Sequence, residues 1–513
     1  MNLSSDPWIP IVWSHGAAGS VSLADAFLRG RDIRDLAVRP HERIALMRLL
    51  LCVAHAALDG PADRDDWATC LDRLPAEAAR YLRKWKAAFE LFGDGPRFLQ
   101  VANLVSTKAG DDEGNSVSKL DLALATGNNP TLFDNSGGGD RRFTPQQLAL
   151  MLLTFQCFSP CGTIGVALWN AIPTIGWTKY PKPAPGQSAH APCLPSNMLH
   201  AFPRAAHLLA TSVLNLCPRD EVVQLPGIKG WGKPIWESMP TSPEDQEAVA
   251  EATETYLGRL VPLSRAIRLD EDQGLLLANG LDYPSWPEVR ESSATVVVRE
   301  LKGKPERFLV SASIEKSPWR ELNAVTVKTV AANSNGGPLA LNNLDADTPF
   351  DLWVGGVVAA GNNKILDVIE AVYPVPAAML QSTGQRCYEK GVKFAEDAAW
   401  NLGQAVSAYH RELGDSLDRA EVRDRRDKLR AKAAFQFWTQ AERSVPLLLA
   451  AVGSEHRPAD PLAWSQSEWG QAIRHCARDA YELACPRQTA RQMQAFVKGL
   501  PCLYYTRDNN QPH

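Results

Sequence analysis

The chain has 513 residues, 45% of them apolar and 22% charged, ordinary values for a globular protein with length enough for about three average domains. Its 54 Lys plus Arg against 58 Asp plus Glu leave a net charge of −4, which excludes a histone-like basic coat and confines any nucleic-acid contact to local patches. Ten scattered cysteines in a chain this long read as reduced thiols of a cytoplasmic protein, and Asp6, Pro7 and Pro10 interrupt any secretory leader.

From the N-terminus, Trp8 to Val12 reads as a short strand, and Ser22 with Asp25 as a capping box opening a helix. Ile44, Met47, Leu51 and Ala54 mark a helix over residues 40–58, stopped by Gly60. Residues 100–144 are rich in Gly, Asn, Ser and Asp and predict a long irregular loop segment. No charge occurs from Phe143 to Thr178, and residues 148–168 approach spanning length. Gln156, Ser159, Pro160, Gly162 and Gly165 break that stretch, so we read a buried helix running into a glycine-containing loop and no membrane span.

Antiparallel hairpins are expected over 295–313, turning at Lys302-Gly303, and over 352–372, with Gly361 to Lys364 at the tip. Beyond Pro376 the texture changes to long amphipathic helices, roughly 384–414, 417–452, 461–485 and 487–498. The fold class is therefore α+β, with a large mixed N-terminal domain over 1–376 and a C-terminal four-helix bundle over 384–507.

Chemistry is hard to find in this sequence. Gly227 to Lys233 approximates a phosphate-binding loop, but Pro234 stands where a hydroxyl is needed and no strand precedes it, so we read a turn that packs Trp231 and Trp236. Cys157, Cys161, Cys193 and Cys217 lack the pairwise spacing of a zinc site and read as separate thiols, with a metal as the alternative. No HExxH, nucleophile elbow or carboxylate cluster is present, so we expect no catalytic residue, no metal and no cofactor. Arg419, Arg423, Arg426 and Arg430 share one face of a helix, either as a solvated face or as contacts to phosphate.

Several strings in order carry a resemblance. They are Asn2-Leu3 with Asp6 to Pro10, Gly127 to Asp134, Thr144-Pro145 with Phe158 to Gly162, Pro234 to Glu237, and Val261 to Arg265 with Arg268. Together they resemble the CasA family, the large subunit of the type I-E CRISPR surveillance complex, Cascade, across essentially the whole chain.

The resemblance implies a noncatalytic reader of the protospacer-adjacent motif, or PAM, in double-stranded DNA. Such a subunit starts target unwinding and R-loop formation and helps recruit a helicase-nuclease. It also implies the crRNA 5′ handle and the backbone and small subunits as partners, with no membrane. Gly162 falls at the family's glycine-loop position and Gln273 at its finger position, where a lysine is the family pattern. Asn363 and Lys364 fall at the hairpin wedge, and Leu132, Phe133, Asp134 and Asn135 on the loop that grips the handle or a partner. The bundle's arginine face would then hold a displaced strand or neighbouring subunits. A metal-dependent nuclease or RNA-processing enzyme, and a purely structural scaffold, are the rival readings.

Overall fold

Strand β1 (Ile9–Trp13) lies between β2 (Ala18–Val21) and β3 (Ile33–Leu36) in an antiparallel sheet. Ser22 accepts from the Asp25 amide and opens α1 (Leu23–Leu28), as its position in the sequence predicts. Helix α2 (Pro40–Leu58) is buried all round from Ile44 to His55 and forms the centre of the core. It ends at Asp59, which takes the left-handed conformation (φ 47°), one residue before the expected stop at Gly60. Helix α3 (Arg64–Lys84) is amphipathic and covers α2 with Cys70, Leu74, Ala78 and Leu82. The computed structural model describes residues 1–107, 115–124, 141–160, 164–174, 193–195, 197–284, 286–331, 334–360, 364–414 and 420–504.

Next come β4 (Leu104–Ser106), β5 (Asn115–Ser116) and α4 (Pro145–Phe158). A reciprocal cap between Thr144 and Gln147 starts α4, and every residue from Leu148 to Phe158 is buried, so the uncharged stretch is a core helix. No helix among the described residues is long and apolar enough to cross a membrane. β4 pairs with β6 (Ala167–Trp169), which pairs with β7 (Ile172–Pro173). β8 (His200–Arg204) is followed by the short helices α5 (Leu208–Leu214), α6 (Arg219–Val222), α7 (Gln246–Glu254) and α8 (Tyr256–Leu260).

β9 (Arg265–Leu269) pairs with β10 (Gly274–Asn279), which also pairs with β5. β11 (Val296–Leu301) and β12 (Lys304–Leu309) form the first expected hairpin, with positive φ at both turn residues, Lys302 (51°) and Gly303 (77°), as a type I′ turn requires. After α9 (Leu322–Val325) comes the second hairpin, β13 (Phe350–Ala360) and β14 (Lys364–Val375). β13 is central, with β14 on one side and β8 on the other. Its pairing with β8 runs only from Asp351 opposite Arg204 to Gly355 opposite His200, so β13 continues past its partner.

Two compact units result, and the division is not one cut of the sequence. Residues 319–327 and 345–349 join the C-terminal helices rather than the mixed unit that surrounds them in the chain. The reason is Trp319, fully buried with its ring 5.7 Å from Trp469 and 6.0 Å from Trp438, its carbonyl accepting from the Tyr388 hydroxyl at 2.8 Å.

The helical unit contains α10 (Ser382–Glu412), α11 (Ala420–Arg443), α12 (Val445–Gly453), α13 (Pro461–Gln466), α14 (Glu468–Ala484) and α15 (Ala490–Gly499). α10 packs on α11, α14 and α15, and α11 packs on α14. Two expected continuous helices are broken. The 417–452 stretch divides because Pro446 cannot donate a helical hydrogen bond and sits in the first turn of α12. The 461–485 stretch divides at Ser467, whose hydroxyl accepts from the Gly470 amide at 3.1 Å and caps α14.

Candidate nucleic-acid interface

The end of α4 is held by buried polar side chains. The Gln156 carboxamide pairs with the backbone of Arg265 in both directions, accepting from its amide and donating to its carbonyl, each at 2.9 Å. The Arg265 guanidinium donates to Ser159 Oγ (3.2 Å), the Pro160 carbonyl (2.5 Å) and Asn279 Oδ1 (3.3 Å). Asn279 Oδ1 also accepts from the Ile164 amide at 3.1 Å, and the Asn279 amide donates to the Gly165 carbonyl at 3.1 Å. All four side chains are buried. Gly280, next in the chain, has no room for a Cβ, which would stand 2.5 Å from the Arg265 amide nitrogen. The sequence reading passed over these groups; a lone glutamine in an apolar helix was the one signal for them.

Gly162 lies outside the described residues, as do Leu132, Phe133, Asp134, Asn135, Asn363 and Arg419. Residues on both sides of Gly162 sit at the C-terminal end of β10. Gln273 sits before its N-terminal end, six residues away, or about 20 Å at the rise of a strand. Gln273 takes a left-handed conformation (φ 72°), and its amide side chain accepts from the Phe143 N–H (3.0 Å) and donates to the Phe143 carbonyl (2.8 Å). This corrects the finger reading: the side chain is committed to its own backbone, in the manner of a strand pair, and is not grouped with the ends of the glycine loop.

The hairpin behaves differently. Phe158, at the end of α4, packs edge-on against His200 of β8 with ring centroids 6.0 Å apart, and His200 stands opposite Gly355 of β13. From there β13 runs on to Ala360, with the Ala359 amide fixed by Asn197 Oδ1 at 2.7 Å. The chain entering residues 161–163 and the distal half of the hairpin, whose second strand opens at Lys364, are therefore neighbours across β8. His200 remains neutral because burial, reinforced by Arg48, pushes its pKa down to about 3.

Of the expected arginine face on α11, three members are described, and two of them turn into the bundle. Arg426 and Arg430 continue the stripe of Ala433, Phe437 and Ala441, the buried positions of that helix. Arg426 pairs with Asp427 at 2.9 Å, and Arg430 lies over Gly403 of α10, its Nη2 3.1 Å from where a Cβ would stand there. Arg423 is exposed. The solvent side of α11 carries a stripe the sequence reading did not single out: Arg425, Lys428, Lys432 and Phe435, the last 73% exposed. Lys428 is paired with Asp424 at 2.8 Å.

The remaining motifs resolve into packing. Trp231 stands edge-on to His55 at 5.0 Å and Trp236 is buried, as expected of a turn that displays them inward. Burial pushes the thiols of Cys157 and Cys217 up to about 12 and that of Cys193 up to about 11, against the thiolate form a metal would need. Cys161 lies outside the described residues, among which no group of three or more His, Cys, Asp and Glu could hold a metal.

A family model described as CRISPR-associated protein Cse1 matches residues 2–480. The chain belongs to the Cse1 family. A CasA/Cse1 protein of Thermus thermophilus is 27% identical to it over 534 aligned residues, covering 97% of this chain and 95% of the relative. A crystal structure of Thermus thermophilus CasA has the same fold, with a TM-score of 0.74 and 23% identity over 98% of both chains. A chain of a CRISPR RNA-guided surveillance complex shares it at a TM-score of 0.67 and 14% identity, over 98% of this chain and 99% of that one. The family read from the sequence strings is thus the family of the chain, and the α+β architecture of small antiparallel sheets and many helices is the one these Cse1 structures have.

Proposed function

We propose that this Cse1 chain is the noncatalytic large subunit of a type I-E Cascade complex, reading the PAM in duplex DNA, starting R-loop formation and helping to recruit a helicase-nuclease. The observation that carries the reading is the neighbourhood of the α4 terminus and the distal half of the β13–β14 hairpin across β8. One element brings Gly162, where the lack of a side chain lets backbone approach a base edge; the other brings Asn363 and Lys364, two polar side chains on a rigid strand pair. In RNA-guided complexes pairing reads sequence and the protein reads only the short flag beside it, so binding and wedging suffice and no reacting group is needed. Opening the first step costs a few kcal/mol, offset by minor-groove and phosphate contacts.

Leu132 to Asn135 would contact the crRNA 5′ handle or a neighbouring backbone or small subunit. Arg423, with Arg425, Lys428 and Lys432 on the solvent side of α11, would meet phosphate without reading sequence. Asn363→Ala with Lys364→Ala in the assembled complex tests the wedge. R-loop opening should slow much more on fully paired DNA than on DNA pre-melted beside the flag, because the bubble supplies the unstacking energy in advance. Equal defects on both targets overturn the wedge reading.

A further inference from the structure

We infer that Asn279, backed by Arg265, positions the chain on both sides of Gly162 and thereby sets the discrimination of flagged from unflagged DNA. This rests on the proposed role of Gly162. Arg265 and Asn279 stand directly opposite each other on paired strands. Their side chains touch at 3.3 Å, and between them they hold the Pro160 carbonyl, the Ile164 amide and, through the Asn279 amide, the Gly165 carbonyl. Three residues thus run between two fixed ends, and the holder is a sheet rather than a loop.

Ending a helix does not require this arrangement, since a single left-handed glycine or a water-facing carbonyl would do it. Burying a guanidinium and two carboxamides is costly unless each is matched, so a network of this kind specifies one geometry more than it adds stability. A backbone that must approach a base edge needs that geometry, because contacts of this type tolerate errors of only about half an ångström. Asn279 Oδ1 is the shared atom, accepting from the loop's C-terminal flank and from the guanidinium that holds its N-terminal flank. It is a positioning residue and does not itself touch DNA.

The experiment uses the full guide-containing complex and reads the ratio of affinities for flagged and scrambled-flag duplexes, together with incorporation of this subunit. Asn279→Ala should lower the ratio by about tenfold, the loss expected for one buried charge-assisted acceptor, with incorporation and scrambled-flag binding within about twofold of the parent. Asn279→Asp keeps an acceptor oxygen in place and should retain the ratio within about threefold. Arg265→Lys, which keeps the charge and loses the fork, is the second perturbing variant and should also lower it. Gly162→Asp tests the underlying reading by placing a charged side chain where the backbone would meet the base edge. Flagged binding unaffected by Gly162→Asp overturns the role of Gly162 itself. A ratio preserved in both Asn279→Ala and Arg265→Lys while Gly162→Asp abolishes flagged binding overturns the positioning role alone. Equal losses in Asn279→Ala and Asn279→Asp also overturn it, since the acceptor would not be the cause.

Discussion

Glu291 lies in the core between two arginines, and replacing it with glutamine should be among the most damaging single changes of one functional group in this protein. Its carboxylate accepts from Arg48 Nη1 at 2.9 Å and from Arg259 Nη2 at 2.7 Å, and the two guanidinium side chains are each 2% exposed. Arg48 comes from α2 and Arg259 from α8, so the triad ties the central helix to the second half of the mixed unit. Burial alone would push the Glu291 pKa up, but the charges of Arg48 and Arg259 and their hydrogen bonds outweigh it and bring it down to about 2. Against an ordinary value of 4.5, that depression corresponds to about 3 kcal/mol of stability, in line with the roughly 3–5 kcal/mol cost of breaking a buried pair.

The contribution of a group whose folded pKa is depressed is present above the unfolded value and is lost as pH falls. The stability difference between the parent and Glu291→Gln should therefore be about 3 kcal/mol at pH 7 and shrink between pH 4.5 and pH 2. Urea unfolding of the full chain at several pH values, with the denaturant slope compared between variants, reads this directly. A loss under about 1 kcal/mol at pH 7, or a difference that stays constant down to pH 3, would refute the argument that the carboxylate is ionised and matched by both arginines.

Two further outcomes follow from particular contacts. Gln273→Ala removes both bonds to Phe143 and should ease local opening there by about 1–3 kcal/mol, seen as faster amide hydrogen exchange at Phe143; unchanged exchange would mean that the clamp carries no weight. On α11, Arg425→Ala with Lys432→Ala should lower the slope of log affinity against log salt by about 0.7–0.9 per lost contact and leave stability within about 0.5 kcal/mol, whereas Arg430→Ala should destabilise the bundle and leave the slope alone. The reverse pattern would restore the Arg426–Arg430 face as the phosphate surface.

Local pattern was enough for the elements whose cause is local. The Ser22 and Thr144 caps, the Lys302-Gly303 turn and the period of α2 each depend on residues within one or two turns of chain, and each is found where the sequence puts it. The family, too, was legible, because ordered short strings survive where overall identity is low. Pairings between distant parts of the chain were not. That Trp319 leaves the unit around it for the helices, that Arg430 turns inward over Gly403 and that Gln273 folds back on Phe143 depend on which surfaces meet, and helical spacing gives a face without saying what covers it. The Gln156, Arg265 and Asn279 network shows the same limit most plainly: residues 156, 265 and 279 acquire a common purpose only when β9 and β10 bring a guanidinium and a carboxamide under the end of α4, where buried polar groups must find partners.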